Sequence, residues 1–122
     1  MFEHYIDVVA RQLAAAVAQG LSIVAFAGYG AHALLSVEMV SEFERYGLAR
    51  LRVLTATLQI VGSVGLAAGH FFRPLLLLSA AGFTAMMLVA LLVRIRIRDP
   101  ISAMLPAFVL MCLNLFLVAS AL

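Results

Sequence analysis

Two amides stand inside otherwise apolar stretches of this chain: Gln59, near the middle of residues 53–72, and Asn114, in the far half of residues 100–122. In hydrocarbon a polar side chain is the natural place to look for function. Either amide can hydrogen-bond to a neighbouring helix, a contact typically worth about 0.6 kcal/mol and up to roughly 1–2 kcal/mol. Either could instead hold a quinone or another small ligand. The interhelical bond is the simpler reading. His32, toward the end of the first apolar stretch, is the third polar group of this kind.

Histidines raise the question of haem, which two of them commonly ligate in small membrane anchors. His70 closes the second apolar stretch on the face opposite His32, so the two cannot flank one iron. His4 shares a face with His70 but precedes the first stretch. All three read as interfacial residues, and no metal site is expected. Gly28-Tyr29-Gly30-Ala31-His32-Ala33 resembles a dinucleotide fingerprint in letters alone, because that motif works between a strand and a helix N-terminus. No CxxC, HExxH, nucleophile elbow or carboxylate dyad occurs, so no catalytic set is assigned. The single cysteine, Cys112, excludes an internal disulfide.

Every cation is an arginine, and there is no lysine. Arg50, Arg52, Arg94, Arg96 and Arg98 form a basic cluster on one side of the apolar stretches. Its simpler reading is topology with lipid headgroup attraction; the sharper one is docking of an anionic partner or a sulfur oxyanion. Glu38 is placed to pair with Arg52. The arginines are not interleaved with aromatics in a stripe, so nucleic acid is excluded as a partner.

The elements that position these groups are transmembrane helices. Hydrophobic residues make up 66% of the 122 and charged residues 11%, against about 25% charged in soluble domains. A soluble fold of this size could not hide that much apolar surface. Residues 12–37, 53–72, 74–93 and 100–122 carry no Asp, Glu, Lys or Arg. About 20 helical residues cross the hydrocarbon layer, and in lipid only a helix or a closed barrel satisfies its own backbone. The reading is all-α: an antiparallel four-helix transmembrane bundle forming a single domain over residues 1–122. The N-terminal residues lack the positive region of a secretory signal, so the first stretch reads as a retained helix.

The links agree. Pro74 and Pro100 suit the first position of the helices they open, and Asp99 can cap the last. Pro106, inside that helix, should free the carbonyl of Ser102. Ser41-Glu42-Phe43-Glu44 reads as a capping box opening a short interfacial helix between helices one and two, with Val40, Phe43 and Tyr46 on one side and Gly47 at its end. Glu42 and Arg45 are spaced to pair. Gly28, Gly62, Gly65, Gly69 and Gly82 should serve close helix packing, with Gly65 and Gly69 as a GxxxG. Six arginines lie in the links after helices one and three, and Arg11 and Arg73 lie on the other side. The positive-inside rule then puts those links in the cytoplasm and both termini outside an inner membrane.

Several segments together resemble the DoxX-like family of small four-helix membrane proteins. They are Phe26-Ala27-Gly28-Tyr29-Gly30-Ala31-His32, Glu42-Phe43-Glu44-Arg45-Tyr46-Gly47-Leu48, Leu58-Gln59-Ile60-Val61-Gly62-Ser63-Val64-Gly65-Leu66, and Leu78-Ser79-Ala80-Ala81-Gly82-Phe83 after Arg73. The resemblance covers nearly the whole chain and implies a four-helix bundle. Some relatives are described as subunits of a thiosulfate:quinone oxidoreductase or as membrane partners in redox-stress complexes. Helix two of the family often has a glutamate where this chain has Gln59, which removes a proton carrier.

The expectation is therefore an accessory inner-membrane subunit without catalysis of its own, packing against another membrane subunit or a second copy. The alternatives are a quinone-linked oxidoreductase subunit using Gln59, His32 and the basic cluster, and a small transporter acting as an oligomer.

Overall fold

Apolar surface decides where this chain can live, and the helices arrange it outward. The computed structural model describes residues 1–122 and contains five α-helices. Helix α1 spans Phe2–Leu35, α2 Val37–Arg45, α3 Arg52–Ala68, α4 Arg73–Arg96 and α5 Ile101–Ala121, with a 3-10 turn at Ala49–Leu51 before α3. Four of these are long and apolar enough to cross a membrane. Only 19 of the 122 residues are buried, and large side chains such as Val24, Val61, Leu78 and Ile101 stand exposed. A core this thin requires a bilayer to cover the outer faces.

The four long helices pack as a ring in chain order, α1 on α3, α3 on α4, α4 on α5, and α5 closing on α1. Short links force antiparallel neighbours, so the α1 N-terminus, the α3–α4 turn and the α5 C-terminus share one end. The α2 segment and the α4–α5 link share the other, arginine-rich end. At the centre, Phe26 of α1 lies flat on Phe83 of α4 across the ring, with centroids 3.7 Å apart and planes 4° from parallel. Leu66 of α3 and Leu117 of α5 belong to the same buried cluster.

Glycines set how closely the helices approach. A Cβ on Gly30 would come within 2.7 Å of Ile60 Cγ1 and 2.9 Å of the Ala56 carbonyl oxygen, so α1 and α3 touch backbone to backbone there. Gly62 sits under the Phe83 ring, Gly65 against Ser79, and Gly69 against the Leu76 backbone. These three seat α4 on α3, as the small-residue spacing predicts. Gly28 and Gly82 do not take part: each faces open space. Two residues along a helix is about 200° of rotation, which turns Gly28 away from the contact that Gly30 makes.

The helix boundaries depart from the capping signals at three points. Helix α1 begins at Phe2, and its 34 residues run about 51 Å at 1.5 Å each, well beyond a hydrocarbon layer of about 30 Å. The polar N-terminal residues thus continue the helix outside the apolar stretch. Helix α2 begins at Val37, not after Ser41: the N-cap is Ser36, in extended conformation, and Ser41 lies mid-helix. The earlier start places Met39 in the cavity described below together with Phe43 and Tyr46, at spacings of four and three, while Val40 is 38% exposed. Asp99 does not cap α5. Pro100 is the N-cap residue and Ile101 the first helical one, because the Asp99 carboxylate is taken by two arginines, stronger donors than a backbone amide.

Two reversals at the arginine-rich end follow one pattern. Helix α2 ends with Gly47 at φ 76°, its N–H bonded to Glu44 O and the Leu48 N–H to Phe43 O, a Schellman motif. Helix α4 ends the same way, with the Arg98 N–H on Ile95 O and the Asp99 N–H on Arg94 O. There the left-handed residue is Arg98, at φ 59°, which carries the Cβ strain that glycine avoids.

Candidate functional site

Toward the arginine-rich end the helices leave a cavity of about 370 Å³, with α2 packed over it. Helix α3 supplies Gln59 and, one turn nearer the end, Thr55; α1 supplies Tyr29 and His32. The other walls are Met87, Ala90 and Arg94 of α4 and the Pro106 region of α5. Spacings of three or four residues put each pair on one helix face.

Gln59 is only 9% exposed, and its amide makes no hydrogen bond to another residue, unlike Gln19, Ser63 and Asn114 nearby. An amide in an apolar bundle normally finds a partner; the Gln59 amide is not sealed in, unlike Asn114 Oδ1 described below. The Gln59 side chain reaches the cavity, where a bound molecule or water can supply one. A volume of this size, mostly apolar with a few convergent polar groups, is what small-molecule sites require.

Two of the charged lining residues, Glu42 and Arg94, are committed to ion pairs with Arg45 and Asp99 just outside it. Arg45 of α2 holds Glu42 through Nη2 at 2.7 Å and reaches Asp99 of the α4–α5 link through Nη1 at 2.7 Å. Arg94 Nη1 donates to the same aspartate at 2.8 Å, and Arg94 Nη2 donates to the Tyr46 hydroxyl at 2.9 Å. That hydroxyl donates to Glu42 at 3.1 Å. Both guanidinium groups also lie over the Tyr46 ring, at 5.2 and 5.4 Å, close enough for cation–π attraction. Hydrogen bonds from Arg45 hold the Asp99 and Glu42 carboxyls below their ordinary range, and burial pushes the Tyr46 phenol up. Two carboxylates and two guanidinium groups cancel within this cluster. Among the charged lining residues Glu38 alone has no ion-pair partner.

The structure divides the expected basic cluster. Arg94 belongs to the network just described. Arg52 donates through Nη1 to the carbonyls of Ala33 at 2.7 Å and Leu34 at 3.2 Å, closing the α1 C-terminus where carbonyls lack helical partners and attract cations. That contact replaces the expected pair with Glu38. Arg50, Arg96 and Arg98 are exposed and in no ion pair. Gln59, His32 and Arg94 therefore share one cavity, and the other four arginines stand outside it.

Asn114 lies elsewhere, fully buried in the middle of the α1–α5 seam. Its Nδ2 donates to Leu110 O at 2.8 Å and to Ser22 Oγ at 3.3 Å, while Oδ1 has no partner. Gln19 of α1 donates to Leu66 O of α3 at 2.6 Å. Sequence reasoning missed Gln19 and Ser22, whose signal was a polar residue within an apolar stretch. It also missed Asp99 as an ion-pair hub, for which the spacing from Arg94 offers no helical rule. Two further grooves, between α1 and α5 and between α3 and α4, are almost wholly apolar, with Ser79 the one side-chain hydroxyl between them.

An all-helical ring with four membrane-crossing helices defines a multi-pass integral membrane protein, embedded in a lipid bilayer. The chain belongs to the DoxX-like family, whose profile matches residues 17–117. No curated protein and no solved structure matches it.

Proposed function

We propose that this protein is an accessory inner-membrane subunit that holds the head of a small, uncharged amphipathic molecule of the quinone class in the cavity beneath α2. The observation that carries this reading is Gln59, a residue only 9% exposed whose amide has no partner within the protein and lies at the cavity wall. An amide N–H can donate to a carbonyl oxygen of the head, and His32 and Thr55 offer further hydrogen-bonding groups. Met87, Pro106 and Leu110 supply apolar contact for a ring. The arginine of the lining is already neutralised and the free charge there is the Glu38 carboxylate, so a neutral head fits better than a sulfur oxyanion. The cavity offers hydrogen bonds and no nucleophile–base pair, which suits binding. The arginine count supports an orientation with α2 and the α4–α5 link in the cytoplasm and both termini outside.

Binding of a radiolabelled short-tail quinone analogue to the protein in zwitterionic nanodiscs tests this. Loss of the single amide contact in Gln59→Leu should weaken binding about tenfold. An affinity unchanged by Gln59→Leu would remove the site.

A further inference from the structure

Helix α2 is tied to the rest of the molecule in an uneven way. Its backbone packs beside α1 and the 3-10 turn, which are its own chain neighbours. Its links to the α4–α5 side are side chains: Arg45 to Asp99, and Tyr46 to Arg94. One aromatic, Phe43, is buried, at 8% exposure. Both ends of α2 are single-residue breaks, an extended Ser36 and a left-handed Gly47. Nine residues are too few for a helix to persist without tertiary contacts.

The cavity lies directly under this segment. Glu38, Met39, Glu42, Phe43 and Tyr46 of α2 are part of its lining. We infer that α2 is a hinged lid over the cavity, latched to the α4–α5 link by the Arg45–Asp99–Arg94–Tyr46–Glu42 network. Ser36 and Gly47 are the positions that absorb the rotation, since hinges are element-terminal residues able to change φ and ψ. The network suits a latch because its strength lies in the set: Asp99, only 9% exposed at its side chain, is shared by both arginines, and such networks are worth more together than pair by pair. Lids are drawn from the least stable parts of a fold. Opening is also inexpensive for an interfacial helix. Val37 and Val40 already face outward, and a swung-out Phe43 would enter the headgroup region, not bulk water. Asp99 is the keystone, being the one residue bonded to both arginines.

This inference rests on the cavity being a binding site, but its test needs no ligand. A cysteine is placed in the cavity wall (Thr55→Cys in a Cys112→Ser background) and its reaction rate with a membrane-impermeant maleimide is measured in nanodiscs. Asp99→Asn should raise the rate about 5- to 10-fold, and Arg45→Gln, which leaves the Arg94–Asp99 pair, should raise it less. Arg50→Gln, an exposed arginine outside the network, should leave it unchanged. A reporter at the opposite end, Ser120→Cys, should react equally in all backgrounds if the bundle is intact. Equal Thr55→Cys rates with and without the latch would overturn the lid, as would an equal rise in Arg50→Gln. If Asp99→Asn does not fold, the Arg45→Gln rate decides. Failure here would leave quinone binding untouched, and loss of quinone binding would leave the latch readout standing.

Discussion

The two halves of this bundle solve opposite problems with the same four helices. In the half around Phe26 and Phe83, glycines let α3 and α4 approach until backbone meets side chain, and the two rings stack across the centre. In the half under α2 the helices carry Gln59, Thr55, Tyr29 and His32 inward, and a cavity remains. Polar groups follow the division only in part. Gln19 and the Asn114 Nδ2 are bonded to other residues, although the enclosed Asn114 Oδ1 is not, whereas the Gln59 amide has no protein partner and opens onto the cavity. One half is packed mainly to hold the helices together, and the other leaves an amide available to a ligand.

The sharpest way to break that comparison is to fill each half. Gly62→Leu inserts a side chain where the Phe83 ring already lies and should destabilise the protein by about 1–3 kcal/mol, the usual cost of overpacking. Gly82→Leu, facing open space, should change stability by less than about 0.5 kcal/mol. Thermal unfolding in one detergent checks both, and equal losses would show that the glycines do not set the packing. A smaller effect is expected at the lid end. Arg98 holds a left-handed conformation that costs a non-glycine residue about 1 kcal/mol, so Arg98→Gly should raise stability by up to that amount. A loss on Arg98→Gly would mean that its charge matters more than its backbone.

The smallest effect concerns pH and should be confined to the lid. Asp99 and Glu42 have folded pKa values lowered, first by hydrogen bonds from Arg45. A lowered carboxyl contributes stability that is full above its unfolded pKa of about 4 and is lost as pH falls through the folded value. The latch should therefore be intact from neutral pH down to about 4 and loosen below it. Tyr46 is raised, chiefly by burial, so the opposite limit is alkaline, with stability falling as pH climbs above about 10. Hydrogen exchange of the α2 amides, measured against those of α3 and corrected for the intrinsic pH dependence, reads this out. Parallel changes in both helices at acid pH would argue against a separately latched segment.

Much of the fold was legible because apolarity is a bulk property. Uncharged runs long enough to span lipid leave the backbone no choice but helix, and links of a few residues leave the helices no choice but antiparallel neighbours. The candidate site was legible only in its membership. Gln59 and His32 were visible as polar residues in apolar stretches, but nothing in their separation of 27 positions shows that they line one cavity. The arginine cluster was legible as a bias and not as contacts. Arg52 turned to the carbonyls of Ala33 and Leu34, Arg94 to Asp99, and three others to solvent. Capping rules misplaced the α2 start and the role of Asp99 because they weigh local partners alone, and the partner that prevails for Asp99 is Arg45, 54 residues away.

What the sequence determined by itself is a membrane protein of four spans, since the solvent that a chain requires follows from how much of its surface is apolar. It also marked Gly65 and Gly69 as a GxxxG suited to close helix packing, because glycine spacing on a helix is fixed by helical geometry. Tertiary structure decided which glycines face a neighbour and which face lipid, which amide is paired, and where the arginines go. Those outcomes depend on rotation about each helix axis, and a few tens of degrees move a side chain from contact to open space.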